Sequence, residues 1–179
     1  QSTQCWFYDP LCVAARSATA AGITVVVAAG NFGKAATGKE VFGAVSSPGN
    51  DPSVITVGAV NYKGSVARAD DSVAMFSSRG PTRGSYVDGS GVRRVDNLIK
   101  PDLVAPGNKI LGAASTTGAG YWNNLASWYY NDLVAPTNAG QYYYETVMMM
   151  SGTSIAAPAV AGAAALLLQA NPGLTPPMV

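Results

Sequence analysis

The fold follows from one stretch near the end of the chain, residues 151–158, which reads Ser-Gly-Thr-Ser-Ile-Ala-Ala-Pro and runs on into residues 159–169. No charged side chain occurs from Ile155 to Leu168, where Ala, Val, Gly and Leu dominate. A helix that is apolar on every side is typical of the middle of a protein. About 14 apolar residues are fewer than the roughly 20 that span a bilayer. We therefore predict a buried core helix.

The boundaries of this helix place a hydroxyl group at its start. Proline is tolerated in a first helical turn, where backbone N–H groups have no partner, so Pro158 predicts a start near Ser154. The sequence Asn171-Pro-Gly predicts the end. The positive end of the helix would stabilise an anion that forms at Ser154. Serine is also a common N-cap residue, and the helix by itself does not distinguish a capping Ser154 from a reactive one.

Length and composition allow one domain and exclude some partners. The 179 residues are 48% hydrophobic, enough for a sizeable core. Only 12% are charged and the formal net charge is +1, so the basic stripe of a nucleic-acid-binding protein is missing. We expect no nucleic-acid and no membrane partner. The chain contains no histidine.

Periodicity predicts an α/β fold with a mainly parallel sheet. Residues 10–21 have the pattern of an amphipathic helix that ends at Gly22. Residues 23–29 form a β-branched apolar run, typical of a strand buried on both faces. Further strands are predicted at residues 54–60, 73–77 and 109–114, and residues 82–97 read as an exposed loop.

Gly30 and Asn31 stand where the first predicted strand ends. In open α/β sheets, binding sites gather beyond the carboxyl ends of the strands. Asn31 is therefore a candidate site residue. Taken alone, it is better explained as a turn residue that tolerates a left-handed backbone.

Five segments occur in the order and spacing of one protein family: residues 22–31, 47–60, 76–81, 100–107 and 151–158. Together they resemble the subtilisin-like serine proteases, the subtilases, from about residue 9 to the last residue. The resemblance implies a subtilisin-like three-layer α/β fold, in which a mainly parallel sheet surrounds a buried central helix that starts at the nucleophilic serine.

The resemblance also implies roles for individual residues. Ser154 would be the nucleophile, and the Asn31 side chain with the Ser154 backbone N–H would form the oxyanion hole. Two walls of a pocket would bind the substrate residue before the cut, and they comprise Ala28, Ala29, Gly30, Ser47 and Gly49. Because four of these are small and uncharged, we expect a large apolar or aromatic substrate residue. Phe32 departs from the acidic or small polar residue that many subtilases carry after the asparagine.

The missing histidine affects the catalytic assignment directly. A serine hydroxyl needs a base within hydrogen-bond reach, and in subtilases the catalytic His and Asp precede the oxyanion asparagine. The resemblance thus implies that residues 1–179 are a partial catalytic domain, which needs the N-terminal part of its own domain as a partner. The function implied is a secreted, extracellular serine endopeptidase that acts on polypeptides. An inactive pseudoenzyme or binding module would carry the same motifs. The sedolisins, which have an Asp in the oxyanion site, are disfavoured by Asn31.

Three further features leave alternatives open. The resemblance implies no required cofactor, but Asp102 aligns with a position that in some subtilases helps to bind a weak cation. One carboxylate supplies few of the 6–8 oxygens that a structural calcium takes, so a structural hydrogen bond is the alternative for Asp102. Cys5 and Cys12 are either free thiols or a short-loop disulfide of a secreted enzyme. Residues 115–146, rich in Tyr and Trp, form either a recognition surface or a loop packed on its own rings.

Overall fold

The computed structural model describes residues 5–113 and 147–179. Its helices and strands, in chain order, are α1 (Pro10–Ala20), β1 (Val26–Ala28), β2 (Ile55–Asn61), β3 (Ser72–Val73), β4 (Ser85–Val87), β5 (Arg93–Val95), β6 (Leu103–Pro106), β7 (Ile110–Ala113), β8 (Val147–Met150) and α2 (Thr153–Ala170). Short 3-10 turns occupy Arg68–Asp70 and Pro176–Met178. The aromatic segment at residues 115–146 lies outside the described residues.

The main sheet is built around β2. Strands β1 and β6 pair with β2 in parallel, one on each side, and β3 pairs antiparallel with the end of β2. This arrangement confirms the predicted α/β fold with a mainly parallel sheet. The strand predicted at residues 54–60 is β2, displaced by one residue, whereas β1 is shorter than the predicted run. β1 is only half-buried, and Ile23 before it is exposed, so the expectation of burial on both faces was wrong.

Helix α1 is fixed at its start and end by local signals. The Asp9 carboxylate caps it by accepting hydrogen bonds from the backbone N–H groups of Leu11 and Cys12 at 2.9 and 3.3 Å. Pro10 occupies its first turn, where no helical N–H bond is lost. The helix ends before Gly22, which has the positive φ of 89° that glycine permits. The predicted helix is confirmed.

Helix α2 starts one residue earlier than predicted. Its N-cap is Gly152, with no side-chain capping bond, and its C-cap is Asn171. Ser154 is therefore the second residue inside the helix, so the alternative of a capping Ser154 is wrong. Pro158 lies beyond the first turn, contrary to our expectation. A proline here removes the helical hydrogen bond that would reach back to the Ser154 carbonyl group.

Most of α2 is accessible to solvent, which corrects the prediction of a buried central helix. Its 18 residues pack one side against the main sheet and bury only Thr153, Ala156 and Ala164. Leu166 and Leu167 are 67% and 45% exposed. By length and hydropathy alone, α2 also meets the criterion for a membrane-crossing helix. Core helices of soluble proteins pass the same test, so this criterion assigns no membrane role to α2.

Two small sheets lie outside the main one. Strands β4 and β5 form an antiparallel hairpin within residues 82–97, where an exposed loop was expected. Strand β7, predicted at residues 109–114, pairs antiparallel with β8, which directly precedes the Ser-Gly-Thr-Ser sequence. The strand predicted at residues 73–77 is reduced to the two residues of β3.

The core lies between the main sheet and the first half of α2. It consists of Val57, Ala59, Ala74, Ala105 and Ala156, with half-buried apolar side chains packed around it. Four of these five side chains are alanines, so the strands of the sheet and α2 lie close together. The carboxyl ends of β1 and β6 are thereby held against the start of α2.

Candidate active site

The end of β1 meets the start of α2 at Asn31. The Asn31 side-chain oxygen accepts hydrogen bonds from the backbone N–H and the hydroxyl group of Thr153, at 2.9 and 3.1 Å. These two residues are 122 positions apart in the chain. The bonds occupy the oxygen of the amide, so the Asn31 Nδ2 donor remains for another acceptor.

The two donors predicted for an oxyanion hole both lie close to Gly152. The position that a Cβ atom of Gly152 would take is 3.3 Å from Asn31 Nδ2 and 3.8 Å from the backbone nitrogen of Ser154. Gly152 has a φ of 155°, a backbone region that side chains rarely adopt. A glycine here therefore leaves the space between the two donors open.

Ser154 is exposed and lies in the first turn of α2. The next two N–H groups, of Ile155 and Ala156, bond to the Gly152 carbonyl at 3.0 and 3.4 Å, and that of Thr153 bonds to Asn31. Among the described residues, the Ser154 N–H has no acceptor. It is one of the unsatisfied donors that make the start of a helix favourable for negative charge.

Thr153 is a candidate positioning residue that our sequence reasoning missed. It is fully buried, and its hydroxyl oxygen accepts a hydrogen bond from the Gly30 N–H at 3.1 Å while the hydroxyl group donates to Asn31. The Thr153 side chain thus contacts the end of β1 and also fixes the orientation of the Asn31 amide. The position of Thr153 between Gly152 and Ser154 was the available signal, but it does not identify the hydrogen-bond partners of Thr153.

The predicted pocket walls lie in direct contact. The Ser46 N–H donates to the Ala29 carbonyl at 3.0 Å, and Ala29 is fully buried. A Cβ on Gly30 would lie 2.6 Å from the Ser46 hydroxyl oxygen, and one on Gly49 would lie 3.3 Å from the Ala28 carbonyl oxygen. We expected small residues to leave room between the walls. At Gly30 and Gly49 they serve close packing of the two segments instead.

Helix α1 fixes the second pocket wall, which contains Ser47 and Gly49. The Cys12 thiol donates to Asn50 Oδ1 at 3.3 Å and lies 3.7 Å from the Ser47 hydroxyl. Arg16 bonds to the buried Asp51 carboxylate at 2.6 Å and to the Trp6 and Phe7 carbonyls at 2.9 and 2.8 Å. The turn that contains Ser47 and Gly49 is therefore fixed to the first helix.

The segments that form this candidate site belong to a sequence that matches a known protein family. The subtilase family model matches residues 6–179. The chain belongs to the subtilase family. It is 40% identical over 168 residues to the serine protease AprX of Bacillus subtilis (strain 168), and the match covers 94% of this chain. The subtilisin-like protease SBT2.3 of Arabidopsis thaliana is 39% identical over 109 residues, 58% of this chain.

Solved structures show the same fold. A cold-adapted subtilisin-like serine proteinase superposes with a TM-score of 0.51 at 28% identity, over 93% of this chain and 39% of the other. Sphericase, at 23% identity, superposes with a TM-score of 0.56, over 93% and 40%. The subtilisin-like α/β fold is thereby confirmed. This subtilase chain spans 31% of the length of AprX and 11% of SBT2.3.

In this subtilase Asp102 is engaged by the chain itself. Its Oδ2 atom accepts from the Thr56 N–H and from the Lys100 ammonium, both at 2.7 Å. Lys100 is buried, and it also donates to the Val54 carbonyl at 2.8 Å. The ammonium group thus sits between a carboxylate and a carbonyl oxygen, as a bound cation would. The described residues contain no cluster of three or more metal-ligating side chains, and Asp102 fits the structural hydrogen-bonding role.

Both cysteines are free and buried, so the disulfide alternative is wrong. Burial, together with the nearby Asp9 and Asp51 carboxylates and against the opposing effects of Ser47 and Arg16, raises the pKa of Cys12 from 9.0 to about 11. Cys12 is therefore a neutral thiol over the physiological range. It supports the pocket wall and is unsuited to act as a nucleophile.

Phe32 follows Asn31 on the surface of the subtilase. Its ring is 56% exposed, and its backbone N–H donates to the Ser78 hydroxyl at 3.1 Å. Arg79 joins this region to the next loop through the Gly33 carbonyl at 3.1 Å and Glu40 at 3.4 Å.

Proposed function

We propose that the polypeptide carrying this chain is a secreted serine endopeptidase, which hydrolyses peptide bonds of extracellular proteins through an acyl-enzyme at Ser154. Membership of the subtilase family supports serine protease chemistry in general. The observation that carries the proposal is the pair of hydrogen bonds between Asn31 and Thr153. They bring an amide donor from a strand end next to an exposed hydroxyl at a helix start.

In the proposed reaction, the Ser154 Oγ atom attacks the carbonyl carbon of the scissile peptide. The Asn31 Nδ2 group and the Ser154 backbone N–H donate to the oxygen that becomes negative. Loss of one such donor costs about 2.7–4 kcal/mol of transition-state stabilisation, a magnitude measured in a subtilisin rather than in this chain. The start of α2 adds a favourable dipole at the same place.

The proton of Ser154 needs an acceptor that these residues do not include. The sequence has no histidine, so the proposal assigns the base and its orienting aspartate to a part of the parent polypeptide outside residues 1–179. The chain would then be a partial catalytic domain whose partner is the N-terminal portion of the same domain. The proposed reaction uses protein groups alone and needs no cofactor.

The pocket walls suggest the substrate preference. Residues 28–30 and the segment with Ser47 and Gly49 carry no charge, and we propose that they bind a large apolar or aromatic residue before the cut. Because Gly30 and Gly49 already touch the opposite wall, such a side chain would enter beside them and not between them.

A serine-directed phosphonate tests the proposed nucleophile. We expect the folded parent polypeptide to be modified covalently at Ser154, as peptide mapping by mass spectrometry would show. The Ser154→Ala variant should not react. Ser151→Ala is the matched control, since Ser151 is also exposed and lies three residues before Ser154.

The alternative is a pseudoenzyme that keeps the subtilase fold as a binding module. It is favoured if the folded parent shows neither phosphonate labelling nor proteolysis. Labelling that persists in Ser154→Ala would contradict the assignment of the nucleophile while leaving a serine hydrolase in place.

A further inference from the structure

We propose that a basic cavity beside the candidate active site binds a carboxylate group of the polypeptide substrate. This inference rests on the proposed function, because it assigns a substrate class to the same site. The carboxylate is either an acidic side chain close to the cleaved bond or the C-terminal carboxylate of the substrate.

The cavity has a volume of about 310 Å³ and is lined by Asn61, Tyr62, Lys63, Gly64, Asn108 and Lys109. Its two halves follow the carboxyl ends of β2 and β6, which pair in parallel. In open α/β sheets this is the edge at which ligands bind. The lining residues include two lysines and no acidic residue.

Both lysines have an unusual backbone conformation that the surrounding structure holds in place. Lys63 has a φ of 52° and Lys109 a φ of 55°, in the left-handed region that few residues other than glycine adopt. The Lys63 N–H donates to Asn61 Oδ1 at 3.0 Å, and the Lys109 N–H donates to the Ser151 hydroxyl at 2.9 Å. Strained residues of this kind cluster at binding and catalytic sites.

The charge of the two lysines is not compensated within residues 5–113 and 147–179. Neither of them forms an ion pair there. The nearest acidic residues along the chain from Lys63 have other partners. Asp70 accepts from the Ser65 hydroxyl at 2.9 and 3.0 Å, and Asp71 faces Arg68 at 3.9 Å. A ligand with a negative charge would compensate the charge of the two lysines.

The cavity is bonded to the segment that directly precedes the candidate nucleophile. Besides its bond to Lys109, the Ser151 hydroxyl lies 3.4 Å from Asn108 Oδ1, and the Gly152 N–H donates to the Gly107 carbonyl at 2.8 Å. Ser151 precedes Ser154 by three residues, a span of at most about 11 Å. A substrate bound at Ser154 would therefore reach the cavity within a few residues.

The lining chemistry selects a carboxylate over other polar groups. Lys63 and Lys109 donate hydrogen bonds and accept none. The side-chain oxygens of Asn61 and Asn108 are already used by Lys63 and Ser151, which leaves their amide nitrogens as donors. A ligand that only accepts hydrogen bonds and carries negative charge matches this set.

The test compares peptides that differ at one position by Glu or Gln, scanned over the residues on each side of the cleaved bond. In the parent enzyme at low salt, we expect Glu at one position to raise kcat/KM about fivefold, mainly through KM, as exposed ion pairs allow. High salt should reduce this preference. Amidated peptides with Glu, and peptides with a free C-terminus and no acidic residue, separate the two sources of the carboxylate.

Lysine variants locate the effect. Lys63→Met and Lys109→Met should each reduce the Glu preference, and the double variant should abolish it. Lys63→Arg should retain it. Arg93→Met is the matched control, because it removes the same charge from an exposed position on β5 and should change nothing. A Glu preference that survives in the double variant, or that disappears equally in Arg93→Met, overturns the inference.

A binding measurement separates this inference from the proposed function. The Ser154→Ala parent cannot form an acyl-enzyme, so fluorescence anisotropy of labelled Glu and Gln peptides reports binding alone. Tighter binding of the Glu peptide, lost in the double lysine variant, supports the carboxylate site even if the wild-type protein cleaves nothing. Equal binding of both peptides overturns the site whether or not the wild-type protein is a protease.

Discussion

The hydroxyl group of Thr153 links the end of β1 to the start of α2. It accepts from the Gly30 N–H and donates to the Asn31 side chain, each at 3.1 Å. Because Thr153 is fully buried, water cannot replace either bond. The orientation of the Asn31 amide therefore depends on a residue that itself touches no substrate.

Replacement of Thr153 by valine tests this positioning role. Thr153→Val keeps the shape but removes the hydroxyl and both of its hydrogen bonds, to the Gly30 N–H and to Asn31, which should cost about 1–3 kcal/mol of unfolding free energy. We also expect kcat of the parent enzyme to fall, because Asn31 loses one of its two anchors, while KM stays nearly constant. Thr153→Ser retains the hydroxyl and should keep kcat. Equal losses of kcat in both variants would contradict the positioning role.

Cys12 makes stability depend on pH in the alkaline range. Its pKa rises from 9.0 to about 11 on folding, so between these values the unfolded chain releases a proton that the folded protein keeps. The stabilisation is complete below pH 9 and is lost as the pH rises towards 11. We expect the unfolding free energy, measured by urea titration, to fall more steeply above pH 9 in wild type than in Cys12→Ala.

Cys5→Ala is the control for this pH dependence, since it removes the other buried thiol. It should leave the alkaline fall in place. If wild type and Cys12→Ala lose stability in parallel between about pH 8 and about pH 10.5, burial does not raise the pKa of Cys12 as the structure indicates.

At the residue scale, the sequence predicted the positions of groups but not their partners. Ser154 and Asn31 were candidates because a small-residue helix and a strand end each have a local signature, and their catalytic roles stay predictions. Thr153 and Lys100 were missed because their partners lie 123 and 46 residues away along the chain. A pairing over such distances is a property of the folded backbone and leaves no mark on the local pattern.

At the element scale, Gly107, the residue after β6, lets the end of this strand approach α2. A Cβ on Gly107 would lie 2.8 Å from the Ala59 Cβ, 2.8 Å from the Gly152 carbonyl oxygen and 3.0 Å from the Ala156 Cβ. The Gly152 N–H donates to the Gly107 carbonyl across this contact. These contacts therefore fix the distance between the start of α2 and the main sheet.

A methyl group at Gly107 should separate these elements. Gly107→Ala overpacks a site enclosed by backbone and core side chains, and we expect a loss of about 1–3 kcal/mol in urea unfolding. Gly162→Ala is the matched control in exposed α2, where an added Cβ meets nothing, and it should be neutral or stabilising by up to about 1 kcal/mol. Similar destabilisation by both changes would show that the contact at Gly107 is not tight.

Prediction of elements succeeded where a run was long and apolar. α1, β2 and α2 were found nearly at their bounds. The β4–β5 hairpin was read as a loop, because its strands have three residues each and carry Arg93, Arg94 and Gly-rich neighbours. β6 was missed because two prolines flank a run of four residues, and its strand conformation comes from pairing with β2.

At the scale of the whole molecule, the chain covers only part of its apolar surface. α2 buries one side on the sheet, whereas Leu103, Val104, Leu166 and Leu167 remain between 41% and 67% exposed. An apolar groove of about 370 Å³ runs between β6 and α2. The uniform hydrophobicity of α2 led us to predict that the helix is buried. Hydrophobicity shows which side chains a helix can bury, but not how many layers of structure surround it.

Contiguous apolar surface of this kind promotes association. We expect the 179-residue chain, expressed by itself, to form oligomers whose size rises with concentration and to bind the dye ANS, as light scattering and fluorescence would show. The double variant Leu166→Glu and Leu167→Lys should reduce both signals. Val66→Glu, at a loop position that is 99% exposed, should not. A monomeric wild-type chain with no dye binding would contradict this expectation.

The ammonium group of Lys100 determines how this part of the fold responds to dissolved ions and chelators. Its ammonium group bridges the Val54 carbonyl and the Asp102 carboxylate at the junction of β2 and β6. A positive charge that belongs to the polypeptide cannot be diluted, exchanged or chelated. This corner of the protein should therefore hold together equally well in EDTA and in mineral-rich media. A reagent that destroys the amine itself, such as an acylating agent admitted by local opening, should loosen it.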